Sequence, residues 1–160
     1  MSTMADDETP WLSDEEMAAW MALVGLVVRL PATLDRQLQQ DSGVTHFEYQ
    51  VLAGLSDAPD HTMRMSTLAT FTEGQLPRLS QVAARLEKRG WLVRRPDPTD
   101  GRSTLATLTD EGMAFLLEAA PGHVRTVRRL VFDPLTKAQV RQLGDIGRRI
   151  GSAVHDENPC

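Results

Sequence analysis

The run from Leu76 to Leu108 restricts what this chain can fold into more than any other part of it. At about 100° per residue, Leu76, Leu79, Val82, Ala83 and Leu86 fall within about 120° of one another, the stripe of a helix packed on a core. The opposite face carries Pro77, Arg78, Ser80, Gln81, Ala84, Arg85 and Lys88 and no acid, with Glu87 near the stripe's edge. Pro77 suits a first helical turn, where its missing N–H costs nothing. Lys88 and Arg89 suit the negative end of the helix dipole, and Gly90 predicts the left-handed residue that stops the helix. Beyond it, Trp91–Arg95 and Thr104–Leu108 alternate as two antiparallel strands, and the link Pro96–Ser103 is rich in turn formers. A basic-faced helix feeding a hairpin with a basic tip is the result.

The surrounding sequence supplies more helices. Ser66 is the expected N-cap of a short helix through Phe71, preceded by an extended piece at Met63–Met65 and followed by the turn Thr72-Glu73-Gly74. Two helices at that spacing read as a helix-turn-helix. Ser13-Asp14-Glu15-Glu16 is a capping box opening a helix to about Gln40, which Pro31 is expected to kink or divide. Thr45 caps a second helix through Leu55, and Asp57–Asp60 is a loop. Thr109 caps a helix to about Phe132, with a kink expected at Pro121-Gly122, and Thr136 caps a last one to about Val154. The fold class is mainly α with a small β-hairpin wing, a winged helix-turn-helix lobe plus a helical domain. Its boundaries are a disordered arm at 1–12, a helical domain at 13–42 and 109–155, the lobe at 43–108 and a tail at 156–160. The first helix has more apolar surface than one chain's core would cover, which predicts a partner chain.

Charge is divided along the sequence. The net charge is −5, which looks wrong for a nucleic-acid binder. Residues 1–60 hold eleven acids and two bases, residues 61–102 four acids and eight bases, and residues 103–160 seven of each. The basic charge therefore lies in the block containing the helix-turn-helix and hairpin, the footprint of a local DNA-contacting surface. Met21–Leu30 is the most apolar run, about half of a bilayer span, so no membrane and a cytoplasmic location are expected. The single cysteine, Cys160, is the last residue and excludes an internal disulfide. The four histidines, His46, His61, His123 and His155, lack metal-ligand spacing, and no nucleophile–base pattern or phosphate loop appears. Neither a cofactor nor an enzymatic activity is expected.

The order helix, helix, strand, helix, helix, strand, wing, strand, helix, helix resembles the MarR (multiple antibiotic resistance regulator) family. The resemblance is carried by Leu79–Arg95, by Asp97-Pro98-Thr99-Asp100-Gly101-Arg102-Ser103, and by Leu108-Thr109-Asp110-Glu111-Gly112. The Asp-x-Arg-Ser of the wing is its most specific part, and similarity of order and spacing spans residues 14–155. It implies a homodimer intertwined through the first, fifth and sixth helices, a palindromic double-stranded DNA operator, and a repressor released by a small phenolic or anionic effector. Pro77 and Ala84 depart from the polar residues that many relatives place on the outward face, so no base code carries over.

Roles follow from chemistry and position. Arg78, Ser80 and Gln81, near the helix N-terminus, are the expected base readers, and Arg85 and Lys88 the phosphate contacts. Ser66 and Thr67 are expected on a phosphate, and Arg102 in the minor groove. Asp100 is expected to hold the Arg102 guanidinium, with Ser103 beside them in the wing. Of Arg94 and Arg95, adjacent on a strand, at most one is expected to face DNA. Trp20, His46 and Tyr49 are candidates for an effector pocket. Met17, Trp20, Val24, Leu130, Val140, Leu143, Ile146 and Ile150 are the expected dimer interface. The competing reading is a winged-helix protein-interaction module without DNA binding.

Overall fold

The computed structural model describes residues 9–157, so the arm at 1–8 and the tail at 158–160, including Cys160, lie outside the described residues. Contacts divide the chain into two compact units between Thr33 and Leu34. Helix α1, Asp14–Ser42, contributes to both and is continuous through Pro31, so the expected division there is not found. Ser13 opens it as predicted: its Oγ accepts from the Glu16 amide at 3.2 Å while its own amide donates to Glu16 Oε2 at 2.8 Å. Undivided, α1 is long and apolar enough to cross a bilayer by length and composition alone, which the shorter run read from the sequence did not suggest.

In the unit from Leu34 onward, α2 (His46–Asp57) starts at a complete capping box made by Thr45 and Glu48. A single 3-10 turn at Pro59–His61 leads into β1 (Thr62–Arg64) and α3 (Met65–Phe71). Arg64, not Ser66, occupies the α3 cap position, because the strand runs directly into the helix and places Ser66 in the first turn. A left-handed Glu73, φ 50°, makes the turn into α4 (Leu76–Lys88). Helix α4 ends as predicted at a left-handed Gly90, φ 77°, where the amides of Gly90 and Trp91 donate back to Glu87 and Leu86 carbonyls at 2.9 and 3.1 Å.

Strands β2 (Leu92–Asp97) and β3 (Asp100–Leu108) form the hairpin, and β1 adds to β3 in a three-stranded antiparallel sheet of order β1-β3-β2. The wing is longer than the alternation predicts. Pairing continues to Asp97 opposite Asp100, so Pro98 and Thr99 alone form the connection and most of the expected loop is strand. Pro96 is accommodated next to the register shift at Pro96/Asp97.

Helix α5 (Asp110–Val127) also runs through its proline, Pro121, and is followed by a π-helical turn at Arg128–Phe132. Its first turn is fastened to the corner after α4. The Thr109 hydroxyl donates to the Gly90 carbonyl at 2.6 Å, its amide donates to the Trp91 carbonyl at 3.0 Å, and the Trp91 and Phe115 rings stack with centroids 3.9 Å apart. A Cβ on Gly112 would stand 2.2 Å from that Trp91 oxygen, so only glycine permits this approach. Helix α6 (Lys137–Glu157) begins at a Thr136–Gln139 capping box and extends past the expected end into the predicted tail.

The core gathers Leu38, Val51, Leu52, Leu55, Leu68, Leu79, Leu86 and Leu92, all fully buried. Each contributes about 1.5–3 kcal/mol of burial. Helix α6, in contrast, has no buried residue.

Candidate nucleic-acid interface

Four residues of α4, at positions 79, 82, 83 and 86, are buried, and this turns the opposite side of the helix outward. The side chains beyond that stripe fall into three rows. The row toward α2 holds the arginines. The Arg78 guanidinium stacks on the Phe47 ring, 4.3 Å from its centroid. Arg85 Nε donates to Glu48 Oε1 at 3.0 Å, and Arg89 Nη2 donates to the Gly43 carbonyl at 3.1 Å while its guanidinium lies over Trp91. Glu48 divides its work: Oε2 accepts the Thr45 amide at 2.9 Å, closing the α2 cap, and Oε1 holds Arg85.

The row toward the wing is organised by Arg94. Its backbone amide donates to Glu87 Oε1 at 2.8 Å, and its Nε and Nη2 donate to Oε2 at 3.0 and 2.7 Å. The Nη1 atom reaches the Ser80 carbonyl and hydroxyl oxygens at 3.4 and 3.3 Å. These donors hold the Glu87 carboxyl below the usual range, Arg94's side-chain bonds being the largest cause. The only acid in α4 is thus spent on the strand that follows it. Between the two rows, Pro77, Gln81 and Lys88 are exposed and Ala84 half-buried.

The hairpin is braced at its base and tip. Asp97 is 6% exposed. It accepts from the Thr99 hydroxyl at 2.7 Å, the Thr99 amide at 2.9 Å and Arg64 Nε of β1 at 2.8 Å. The Thr99 hydroxyl and amide, then Arg64, hold its carboxyl low. Asp100 does a different job from the one expected. Its Oδ1 accepts the Arg102 backbone amide at 3.2 Å and its Oδ2 the Ser103 hydroxyl at 3.1 Å, so it shapes the turn instead of gripping the guanidinium. Arg102 is exposed, and with Ser66, Ser80, Arg94 and Ser103 it lines a cleft of about 250 Å³ between the helix-turn-helix and the wing. Thr67 is exposed beside it on α3.

Two other sequence-derived groups separate. His46 and Tyr49 are brought together with His123 of α5, whose ring centroid is 5.6 Å from His46 and 4.4 Å from Tyr49. His123 Nδ1 stands 3.1 Å from Gln37 Oε1, and the His46 amide donates to Asp35 Oδ1 at 2.8 Å. Burial lowers the pKa of both histidines and raises that of Tyr49. Trp20 belongs to the other unit and is 52% exposed. Of the residues expected at a dimer interface, Met17, Trp20, Leu143, Ile146 and Ile150 are exposed and Val24, Leu130 and Val140 half-buried.

Sequence reading missed Glu48, Arg64, Glu87, Arg94, Asp97 and His123 as parts of these networks. For Glu48 the signal existed, in the Thr-x-x-Glu spacing of a capping box at Thr45. The other partners are joined through folding rather than local spacing.

The MarR family model matches residues 42–103, the segment holding the helix-turn-helix and most of the wing. Sco3205, a MarR family transcriptional regulator from Streptomyces coelicolor solved in complex with DNA, is 42% identical over 92% of both chains, with a TM-score of 0.87. AbsC, a MarR family transcriptional regulator from the same organism, is 32% identical over 92% of this chain and 99% of its own, with a TM-score of 0.86. The transcriptional repressor MprA of Escherichia coli is 28% identical over 112 residues, 70% of this chain and 63% of MprA, so the match spans under two thirds of that relative. With fold, element order and sequence agreeing over nine-tenths of two solved relatives, the chain belongs to the MarR family of transcriptional regulators and is not an enzyme.

Proposed function

We propose that the chain binds a palindromic duplex operator as a homodimer and represses transcription there until a small effector releases it. The observation that carries the reading is the outward side of α4: its one acid is bound to Arg94, and Lys88, Gln81 and the wing's Arg102 stand exposed around it. Such a surface meets the major groove with a helix and the minor groove with Arg102. That the similar Sco3205 was solved with DNA supports this over a protein-interaction module, despite the net charge of −5.

The homodimer is supported by the exposed apolar residues of α1 and α6, Met17, Trp20, Leu143, Ile146 and Ile150. Family membership supports covering those residues with a second copy of the chain and not with lipid, in keeping with a cytoplasmic regulator. A small phenolic effector is supported by an open cleft of about 470 Å³ lined by Phe115 and by the polar groups of Ser42, Arg125, Asp41 and Glu118, and by the nearby helices' His46–Tyr49–His123 cluster; for an anionic effector Arg125 is the one cation there, set against the two acids.

The test is titration of a fluorescent duplex carrying the intergenic DNA upstream of the gene. Log affinity should fall steeply and linearly with log salt, and Arg102→Ala should weaken binding to every sequence and make the slope shallower. Binding that ignores salt, or no binding to any genomic fragment, overturns the reading.

A further inference from the structure

With Arg78 stacked on Phe47, Arg85 on Glu48 and the Ser80 hydroxyl accepting from Arg94, three polar side chains that α4 offers to DNA are already engaged. The line left at the centre of the outward face is Pro77, Gln81 and Ala84, at i, i+4 and i+7. Pro77 and Ala84 are apolar with one amide between them, and the exposed Lys88 follows one turn beyond Ala84 at the end of the helix.

We propose that this line reads an operator half-site through thymine: Pro77 and Ala84 each cover a thymine C5-methyl group, and Gln81 takes an adenine edge between them. The proposal rests on the DNA-binding reading above. In the major groove the methyl of thymine is the one apolar mark among the base edges, and alanine-sized apolar groups are what contact it. A glutamine amide donates to adenine N7 and accepts from N6 as a bidentate pair. Seven residues of helix rise about 10 Å. This spans roughly three base steps of about 3.4 Å, enough for two methyls on either side of one adenine. The departures at Pro77 and Ala84, which bar a code borrowed from relatives, are on this view the code itself. Arginine-to-guanine readout, the usual strong contact, is disfavoured because Arg78 and Arg85 lie in the row against α2.

The experiment selects bound duplexes from a random-sequence library with the full-length protein, then resynthesises the best one with single thymines replaced by uracil, which removes only the methyl. Two positions per half-site should weaken binding about fourfold each, the worth of burying one methyl. Other thymines should be neutral. In Ala84→Ser one of those two sensitivities should vanish, and in Pro77→Ser the other, while Gln81→Ala should relax the preference at the adenine between them. Both serine variants keep the wild-type salt slope if they are folded and engaged. A selected consensus with guanines at these positions, or one insensitive to uracil throughout, overturns the inference while leaving salt-dependent specific binding intact. If no duplex is selected at all, the DNA-binding reading fails and this one with it.

Discussion

Helices α4 and α6 carry apolar stripes of equal regularity and end in opposite circumstances. In α4, Leu79, Val82, Ala83 and Leu86 are buried within the chain. In α6 nothing is buried, and Leu143, Ile146 and Ile150 are 39–54% exposed. Periodicity states that a face must be covered and is silent about what covers it. The difference separates the residues that hold the lobe together from those that the proposed dimer would cover, and it can be broken by mutation. Leu86→Ala should cost about 2–5 kcal/mol of stability, the range for emptying a buried leucine site, read from the urea midpoint of the full chain. A loss under about 0.5 kcal/mol would be the value for a surface residue and would remove the distinction.

Ile146→Asp makes the opposite cut. An unpaired carboxylate placed in an apolar interface costs roughly 3 kcal/mol or more, so the dimer should weaken by at least about 100-fold and sediment as a monomer at micromolar concentration. The lobe's own fold should survive, because α6 contributes no buried side chain to it. A sedimenting species unchanged by Ile146→Asp would mean that the α6 stripe is covered by something other than a copy of itself.

What was legible in the sequence follows the same division. Capping at Ser13, Thr45, Thr109 and Thr136, the α4 stripe and the stop at Gly90 were all local signals, and each holds. Pro31 predicts a kink or a division and Pro121 a kink; α1 and α5 run undivided through both. In long helices the remaining turns and their packing outweigh one missing donor. The link Pro96–Ser103 reads as a turn region because Pro, Asp, Thr and Gly favour turns, whereas the cross-strand pairs Pro96–Thr104 and Asp97–Asp100 extend the hairpin to its tip. The candidate DNA residues of α4 lie outside its buried stripe, as the periodicity predicts, but their partners are not visible in the sequence. Arg85 meets Glu48 across 37 residues and Arg64 meets Asp97 across 33, separations that no local pattern encodes.

Glu48 offers a finer test, since it serves the fold with one oxygen and the interface with the other. Glutamine retains an acceptor for the Thr45 amide, so Glu48→Gln should leave helix α2 capped. It removes the charge that holds Arg85, which is then free for phosphate. Affinity for DNA should rise about threefold at low salt and the salt slope should steepen by up to about 0.9. An unchanged slope, with the fold intact, would place Arg85 outside the contact surface and leave it as a strut between α2 and α4.

The smallest effect concerns the interior of the unit that both helices share. His46 and His123 have pKa values lowered from 6.5 chiefly by burial, with the neighbouring His46 adding to the shift at His123 and Asp35 partly opposing it at His46. A histidine whose folded pKa is depressed binds fewer protons folded than unfolded in the interval between the two values. The stability this represents is therefore present above about pH 6.5 and is lost as pH falls through the lowered folded-state values. Urea midpoints should drop between about pH 8 and pH 5.5, and His123→Gln, which keeps an amide beside Gln37 and Tyr49 but cannot take a proton, should flatten that dependence. Carboxylates elsewhere produce their own losses only at lower pH, so the variant comparison isolates the histidine pair. A wild-type curve that stays level across this interval would mean that the pair accepts protons as readily folded as unfolded, and that the two rings are better hydrated than their burial indicates.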